Sequence, residues 1–331
     1  MIMLGVYIIA IMLLFKCDRA HVDILHTMHQ SALQPLSLNE IMTKYNVHGY
    51  MISGNNTLRQ ANVDFFITGM GFKDFNTIDV IESVFIPTSE PLDTYVKIGY
   101  VHPHYKDKGV HQKVNHGRLG CQLSLVKALD TFLHSSHEIA LIFEDDVVIA
   151  YDFSFQEAKG LLANMLQIPP RHWHIQYLGF CFACDVPRPT PVPGLPSWVL
   201  HGVPPLCTHA LVFNRQAARI FVHHWAPLFQ PGDVRLADII CETGECLHMW
   251  YEMRVKKSDN TIIAFNTTGM RTVRPARPIF GQNRSLSESR TGSKNHPLVP
   301  FRSAGLCQKH TAMCRDRYSP VLARKYAVPP Q

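Results

Sequence analysis

The sequence predicts an α/β fold: an open, mixed, mainly parallel sheet flanked by helices. Three observations predict it. Short apolar, β-capable runs alternate with stretches whose apolar residues recur at helical spacing. The first such unit reads strand, helix, strand, the order that makes neighbouring strands parallel. A wholly apolar run, Ala140-Leu141-Ile142-Phe143, then ends in three adjacent acids, as a strand buried on both faces does when a ligand binds at its C-terminal end.

Taken in order, Val47 to Ser53 is an apolar run closed by Gly54, Asn55 and Asn56, a strand and then a turn. Leu58 to Met70 sets Val63, Phe66 and Ile67 on one face, and Gly69 and Gly71 are stop signals, so a helix is expected. Thr77 to Phe85 reads as the second strand, and the turn-rich Pro87 to Lys113 as an insertion or loop. Leu119 to Leu133 returns to helical spacing through Leu123, Val126, Leu129 and Phe132. After the buried strand, Phe155 to Leu166 is a helix closed by Pro169 and Pro170, and Trp173 to Leu178 a strand. The proline-dense Val186 to Pro205 reads as an extended loop, His209 to Phe213 as a strand, and Gln216 to His224 and Val234 to Cys241 as helices. No internal repeat is present.

The 331 residues are 46% hydrophobic and 18% charged, which is ordinary globular composition and excludes long disorder. A formal net charge of +6 without a dense Lys/Arg run gives solubility or attraction for a small anionic partner, and does not support nucleic-acid binding. Met1 to Phe15 is almost unbroken apolar sequence followed by Lys16, Cys17, Asp18 and Arg19. It is shorter than the roughly 18 to 20 residues of a spanning helix, so a cleaved signal peptide, a short signal anchor that tethers the chain to a membrane, and a buried first element of a cytoplasmic enzyme stay open. Three sequons, Asn55-Asn56-Thr57, Asn266-Thr267-Thr268 and Asn283-Arg284-Ser285, lean toward the secretory lumen. So do the nine cysteines, which leave an even number for disulfides once Cys17 is set aside. The expected organisation is a leader at 1–20, a stem at 21–45, a catalytic domain at 46–290 and a C-terminal extension at 291–331.

The chemistry is expected at Glu144-Asp145-Asp146. Adjacent carboxylates at a buried strand's end repel one another and lose hydration unless a cation or donors compensate them. Alternation along an extended chain points Glu144 and Asp146 one way, to share a metal, and Asp145 the other, toward donors or a ribose. Oxygen-only ligation suits Mn²⁺ or Mg²⁺. Cys181-Phe182-Ala183-Cys184 lacks a second ligand pair at finger spacing, so disulfides or buried thiols are expected there, and His209 reads as a core or cleft histidine. No Gly-x-Ser-x-Gly elbow, phosphate loop or complete dinucleotide fingerprint occurs, which disfavours hydrolase, NTPase and dehydrogenase readings.

His116-Gly117-Arg118-Leu119-Gly120-Cys121-Gln122-Leu123-Ser124, followed by Ala140 to Val147, resembles the paired signature of glycosyltransferase family 25, which includes lipooligosaccharide and procollagen galactosyltransferases. Trp173 to Gly179, Cys207-Thr208-His209-Ala210 with Asn214 to Ala218, Pro231-Gly232-Asp233 and Phe280-Gly281-Gln282-Asn283 are similar to that family's later elements, and Tyr50 to Arg59 to its first strand and basic residue. The resemblance runs from about Val47 to Ser289. It implies a GT-A-like, Rossmann-like nucleotide-sugar-binding domain, inversion at the anomeric carbon, a divalent metal on Glu144 and Asp146, and donor contacts from Arg59, Ser124, Asp145 and Gln282. UDP-galactose is the implied donor, and a hydroxyl of a glycan or glycoprotein the acceptor. Asp233 is the expected base for that hydroxyl, with capping of the following helix as its structural alternative. Arg59 has a solvated helix face as its alternative. Two positions depart from the family's pattern: Leu125 stands where a histidine is usual, and Arg118 where a glutamate is. They motivate the competing reading, a catalytically inactive secreted or surface binding module on the same fold.

Overall fold

The computed structural model describes residues 37–73, 77–103, 105, 114–150, 153–180, 190–192, 194–201, 207–228, 232, 236, 239, 272–275 and 278–283. Their order is α1 Leu38–Lys44, β1 Val47–Ser53, α2 Thr57–Met70, β2 Ile78–Glu82, α3 Leu92–Lys97, α4 His116–His134, β3 Ile139–Glu144, β4 Val147–Ile149 and α5 Phe155–Leu166. There follow β5 Ile175–Gly179, β6 Thr190–Pro191, β7 Val199–His201, β8 Ala210–Asn214, α6 Arg215–His224, β9 Thr272–Pro275 and β10 Phe280–Gln282. The expected α/β fold is the one found. One sheet runs β2-β1-β3-β8-β5-β9-β7-β6, with β10 joining β5 to β4. β1 is parallel to β2 and β3, and β5 to β9 and β10. Only β4, β7 and β8 run against the others among the described strands.

Helices cover both faces of the sheet, and the strands divide their side chains accordingly. Val47 and Met51 of β1, with Ile139, Leu141 and Phe143 of β3, enter a core shared with α1, α2 and α5. Tyr50 and Ile52, with Ala140 and Ile142, enter the opposite core under α4 and α6. Phe66, Phe143 and Phe280 meet edge to face in the first core, with ring centroids 4.9, 5.3 and 5.7 Å apart.

Local chemistry fixes where the helices begin. Ser37 with Glu40, and Ser154 with Glu157, form capping boxes at α1 and α5. Asn56, Asn115 and Asn214 cap α2, α4 and α6 through their side-chain oxygens. Gly71 ends α2 in the left-handed conformation, at φ 75°. At the other end of α4, Arg215 donates to the carbonyls of Ser135 at 3.0 Å, His137 at 2.6 Å and Leu133 at 2.7 Å, binding that helix to the start of α6.

Several expectations are corrected. Within the stem expected at 21–45, α1 buries Leu38, Ile41 and Met42 in the first core, so these residues belong to the folded body. The second strand stops at Glu82 rather than Phe85, because its partner β1 ends at Ser53 and the Val84 N–H goes instead to Ser124 Oγ, at 2.8 Å. The fifth strand starts at Ile175 rather than Trp173, whose indole N–H donates to the Ile168 carbonyl at 2.8 Å. The insertion at Pro87 to Lys113 carries the short α3, and the proline-dense segment contributes the β6–β7 hairpin at the sheet's edge, where a proline is tolerated. Of the helix expected at Val234 to Cys241, Leu236 and Ile239 are helical and buried in the second core. The leader, residues 1–20, and the C-terminal extension lie outside the described residues, among which no helix is long and apolar enough to cross a membrane.

Candidate active site

The parallel strands β1 and β3 end side by side, Ile52 opposite Glu144. After Glu144 the chain does not continue as a strand. Asp145 and Asp146 form a two-residue turn, and β4 leaves it to pair antiparallel with β10. A turn, and not the strand alternation expected, therefore sets the directions of these carboxylates. Asn62 of α2 braces the turn from below, its Nδ2 donating to the carbonyls of Asp145 at 2.8 Å and Val147 at 3.0 Å.

Each acid has its own surroundings. Asp145 is buried, 3% exposed. Its Oδ2 accepts the Gly54 N–H at 2.8 Å, and its Oδ1 is paired with the Arg59 guanidinium. Arg59 therefore leans over the sheet end rather than lying on a solvated helix face, and Gln60, donating to Ser53 Oγ and the Gly54 carbonyl at 3.0 Å each, fixes the loop between them. Glu144 Oε1 accepts from Thr208 Oγ1 at 2.6 Å, and the Glu144 N–H bonds to the His209 carbonyl at 3.1 Å.

Asp146 is also 3% exposed. Its Oδ2 accepts from Gln282 Nε2 at 3.0 Å, and its carbonyl from the Asn283 N–H at 2.7 Å. Its Oδ1 is buried without a hydrogen-bond partner. Burial, and then the neighbouring Glu144 charge, push this carboxyl up to about 8, against the opposing pull of Arg59. A buried carboxylate oxygen without a donor either holds a proton or calls for a cation.

The expected site residues thus divide. Glu144, Asp145, Asp146, Arg59 and Gln282 are brought together. Ser124 is not available to a ligand in this arrangement. It is 1% exposed, and its hydroxyl donates to the Gly120 carbonyl at 2.7 Å while accepting from Val84, tying α4 to the chain beyond β2. Leu125 is packed in the second core beside Tyr50 and Ile52, so an apolar contact fills the position where a histidine was expected. Asp233 lies outside the described residues. Its neighbour Gly232 is pressed against Gln122, and a Cβ there would come within 2.2 Å of Oε1. His209 is a core histidine, 1% exposed, with its ring nitrogen 3.2 Å from the Phe280 carbonyl.

Sequence reasoning passed over Thr208, Asn62, Gly54 and Cys121. Thr208 lay inside the quoted Cys-Thr-His-Ala run, and Gly54 at a recognised strand end, whereas nothing local marks Asn62. Cys121 is the free cysteine among the described residues. It keeps exposed surface on the first turns of α4. Burial, then the charges of Glu144 and Asp146, push its thiol up to about 12. The charge of the acidic turn therefore acts on Cys121.

Among the described residues, no group of three or more His, Cys, Asp or Glu side chains is arranged to hold a metal ion. Two carboxylates remain, Glu144 and Asp146, with the partnerless Asp146 Oδ1. That donor set suits a hard divalent ion completed by water and substrate phosphate rather than an all-protein cage.

No family model and no curated protein matches the sequence. Among solved structures the chain is similar to one described as a glucose-1-phosphate thymidylyltransferase from Bacillus anthracis in complex with sucrose, at 11% identity and a TM-score of 0.27, over 82% of this chain and 96% of that one. So low a score carries no argument about chemistry, and the functional reading rests on the geometry of the sheet end.

Proposed function

We propose that this chain is a metal-dependent, inverting glycosyltransferase that moves a hexose, galactose from UDP-galactose, to a hydroxyl of a glycan or glycoprotein. The observation that carries the reading is the acidic turn at the C-terminal ends of β1 and β3, with Asp146 Oδ1 buried and partnerless. In open α/β sheets ligands bind outside those strand ends. Glu144 and Asp146 are the residues that would hold Mn²⁺ or Mg²⁺. Such an ion, when bound, neutralises the diphosphate of the leaving nucleotide.

The chain's own residues do the rest. Gln282 donates to Asp146, and Thr208 to Glu144. Arg59 and the Gly54 N–H hold Asp145 at the turn, so that Arg59 stands over the strand ends where a nucleotide would lie. Asp233 is our candidate for the base that takes the acceptor's proton. The disulfide-bonded Cys207 and the exposed sequon at Asn55 support the secretory lumen. Leu125 favours the second reading, a silent binding module, because the packed leucine has no polar group to offer a donor.

The test is hydrolysis of a panel of nucleotide sugars with and without Mn²⁺, comparing the wild-type chain with Asp146→Ala. Metal-dependent turnover of one donor, reduced at least about 100-fold in the variant, is the expected result. Folded protein that binds nucleotide but turns over none of the panel establishes the silent module. Absence of both turnover and metal-dependent nucleotide binding overturns the reading.

A further inference from the structure

The segment facing Glu144 across the sheet is clamped on both sides. Cys207 is disulfide-bonded, and its backbone is left-handed, at φ 74°. Residues other than glycine enter that region rarely and keep it where their surroundings hold them. Two positions on, the buried His209 contacts the Phe280 carbonyl through its ring, and its own carbonyl accepts the Glu144 N–H. Between these anchors Thr208 Oγ1 reaches Glu144 Oε1 at 2.6 Å, the length of a charge-assisted bond.

We propose that Thr208 is a positioning residue, which fixes the rotation of the Glu144 carboxylate for the nucleotide-bound ion; this rests on the nucleotide-sugar reading above. A glutamate carboxylate has a broad, nearly two-fold terminal torsion, so its packing alone sets its plane poorly. A threonine hydroxyl has one proton to give. Directed at Oε1 from a backbone held at Cys207 and His209, that proton selects one orientation. Partners of this kind, one bond removed from an ion, typically change metal affinity by about 10- to 100-fold when removed. Cys207, next to Thr208, is left-handed. Ordinary strand geometry needs no such conformation before β8, and holding it there places the hydroxyl.

The experiment is calorimetric titration of the full chain with UDP in the presence of Mn²⁺, for wild type, Thr208→Val and Thr208→Ser, with thermal unfolding of each. Thr208→Val, which keeps the shape and loses the hydroxyl, is expected to weaken Mn²⁺-dependent binding about 10- to 100-fold. Its unfolding midpoint should stay near that of wild type, and Thr208→Ser should recover most of the affinity. If Thr208→Val does not fold, Thr208→Ala against Thr208→Ser repeats the contrast at smaller size. A hydroxyl-free variant that binds as wild type does, or a serine variant as weak as the valine one, overturns the proposal alone. Wild type that does not bind UDP with Mn²⁺ overturns the functional reading, and this role with it.

Discussion

Asp146 binds its proton more tightly in the folded chain than in the unfolded one, because burial and Glu144 push its carboxyl up to about 8 from an ordinary value of 3.8. Between those two values the native state carries a proton that the unfolded state has released, so its contribution to stability is full at low pH and is lost as pH rises toward 8. Asp146→Asn removes that dependence. In metal-free protein, the unfolding midpoint of the asparagine variant should exceed that of wild type at pH 8 by at least about 2 °C, and the gap should close toward pH 4. A gap that is the same at both pH values would contradict this account. Residues with such surroundings were partly legible in the sequence. Three consecutive acids after an apolar run announce a charge problem, and the structure brings them together with Arg59 and Gln282 at a strand end. Their partners were not legible, since Asn62 and Thr208 are ordinary polar residues until folding brings them across the sheet from elements distant in sequence. Ser124 misled for the opposite reason. A motif position identifies a residue as constrained without saying whether a ligand or the fold constrains it, and here Gly120 and Val84 take both functions of its hydroxyl.

At the scale of elements, α4 depends on a close approach. A Cβ at Gly120 would lie 2.7 Å from the Val84 carbonyl oxygen, and backbone cannot rotate out of the way as a flexible side chain can. Glycine there lets the first turns of α4 sit against the chain beyond β2, where Ser124 then completes the contact. Gly120→Ala should therefore destabilise the protein by about 1–3 kcal/mol, read from urea unfolding, even though alanine is the better helix former by about 1 kcal/mol. A stabilised variant would show that α4 can shift without cost. Helices were the most legible elements, because a cap and a stop signal stand beside a periodic apolar face: Phe155–Leu166 is found as expected. The short α1 was passed over because seven residues give too little periodicity to register. The edge hairpin β6–β7 was read as loop because proline suppresses strand propensity, although only one edge of that hairpin needs its hydrogen bonds.

For the molecule as a whole, the periodicity of the strands was sufficient for the architecture and insufficient for its order. Runs such as Ile139–Phe143, apolar at every position, say that both faces are covered, and the two cores on either side of the sheet are the result. They do not say which strand lies next to which. That β8 runs antiparallel between β3 and β5 follows from the route of the chain between them, and it brings Cys207 to His209 against Glu144. The candidate site is thus a property of topology. Its acids come from one strand end, Arg59 from the helix after β1, Gln282 from β10 and Thr208 from the approach to β8.

The Cys121 thiol turns the potential around these acids into a measurable reaction rate. With its pKa pushed up to about 12, Cys121 is almost wholly protonated near neutrality, so neutral alkylating agents should label it far more slowly than they label a free cysteine. The same acids attract cations to its vicinity. A positively charged methanethiosulfonate should modify Cys121 several-fold faster than its negatively charged counterpart at low ionic strength. The difference should shrink as salt shortens the screening length to about 8 Å. Adding Mn²⁺ should reduce the preference further if the ion settles among the carboxylates, so the sign and size of a labelling ratio would report the charge state of the acidic turn without any turnover.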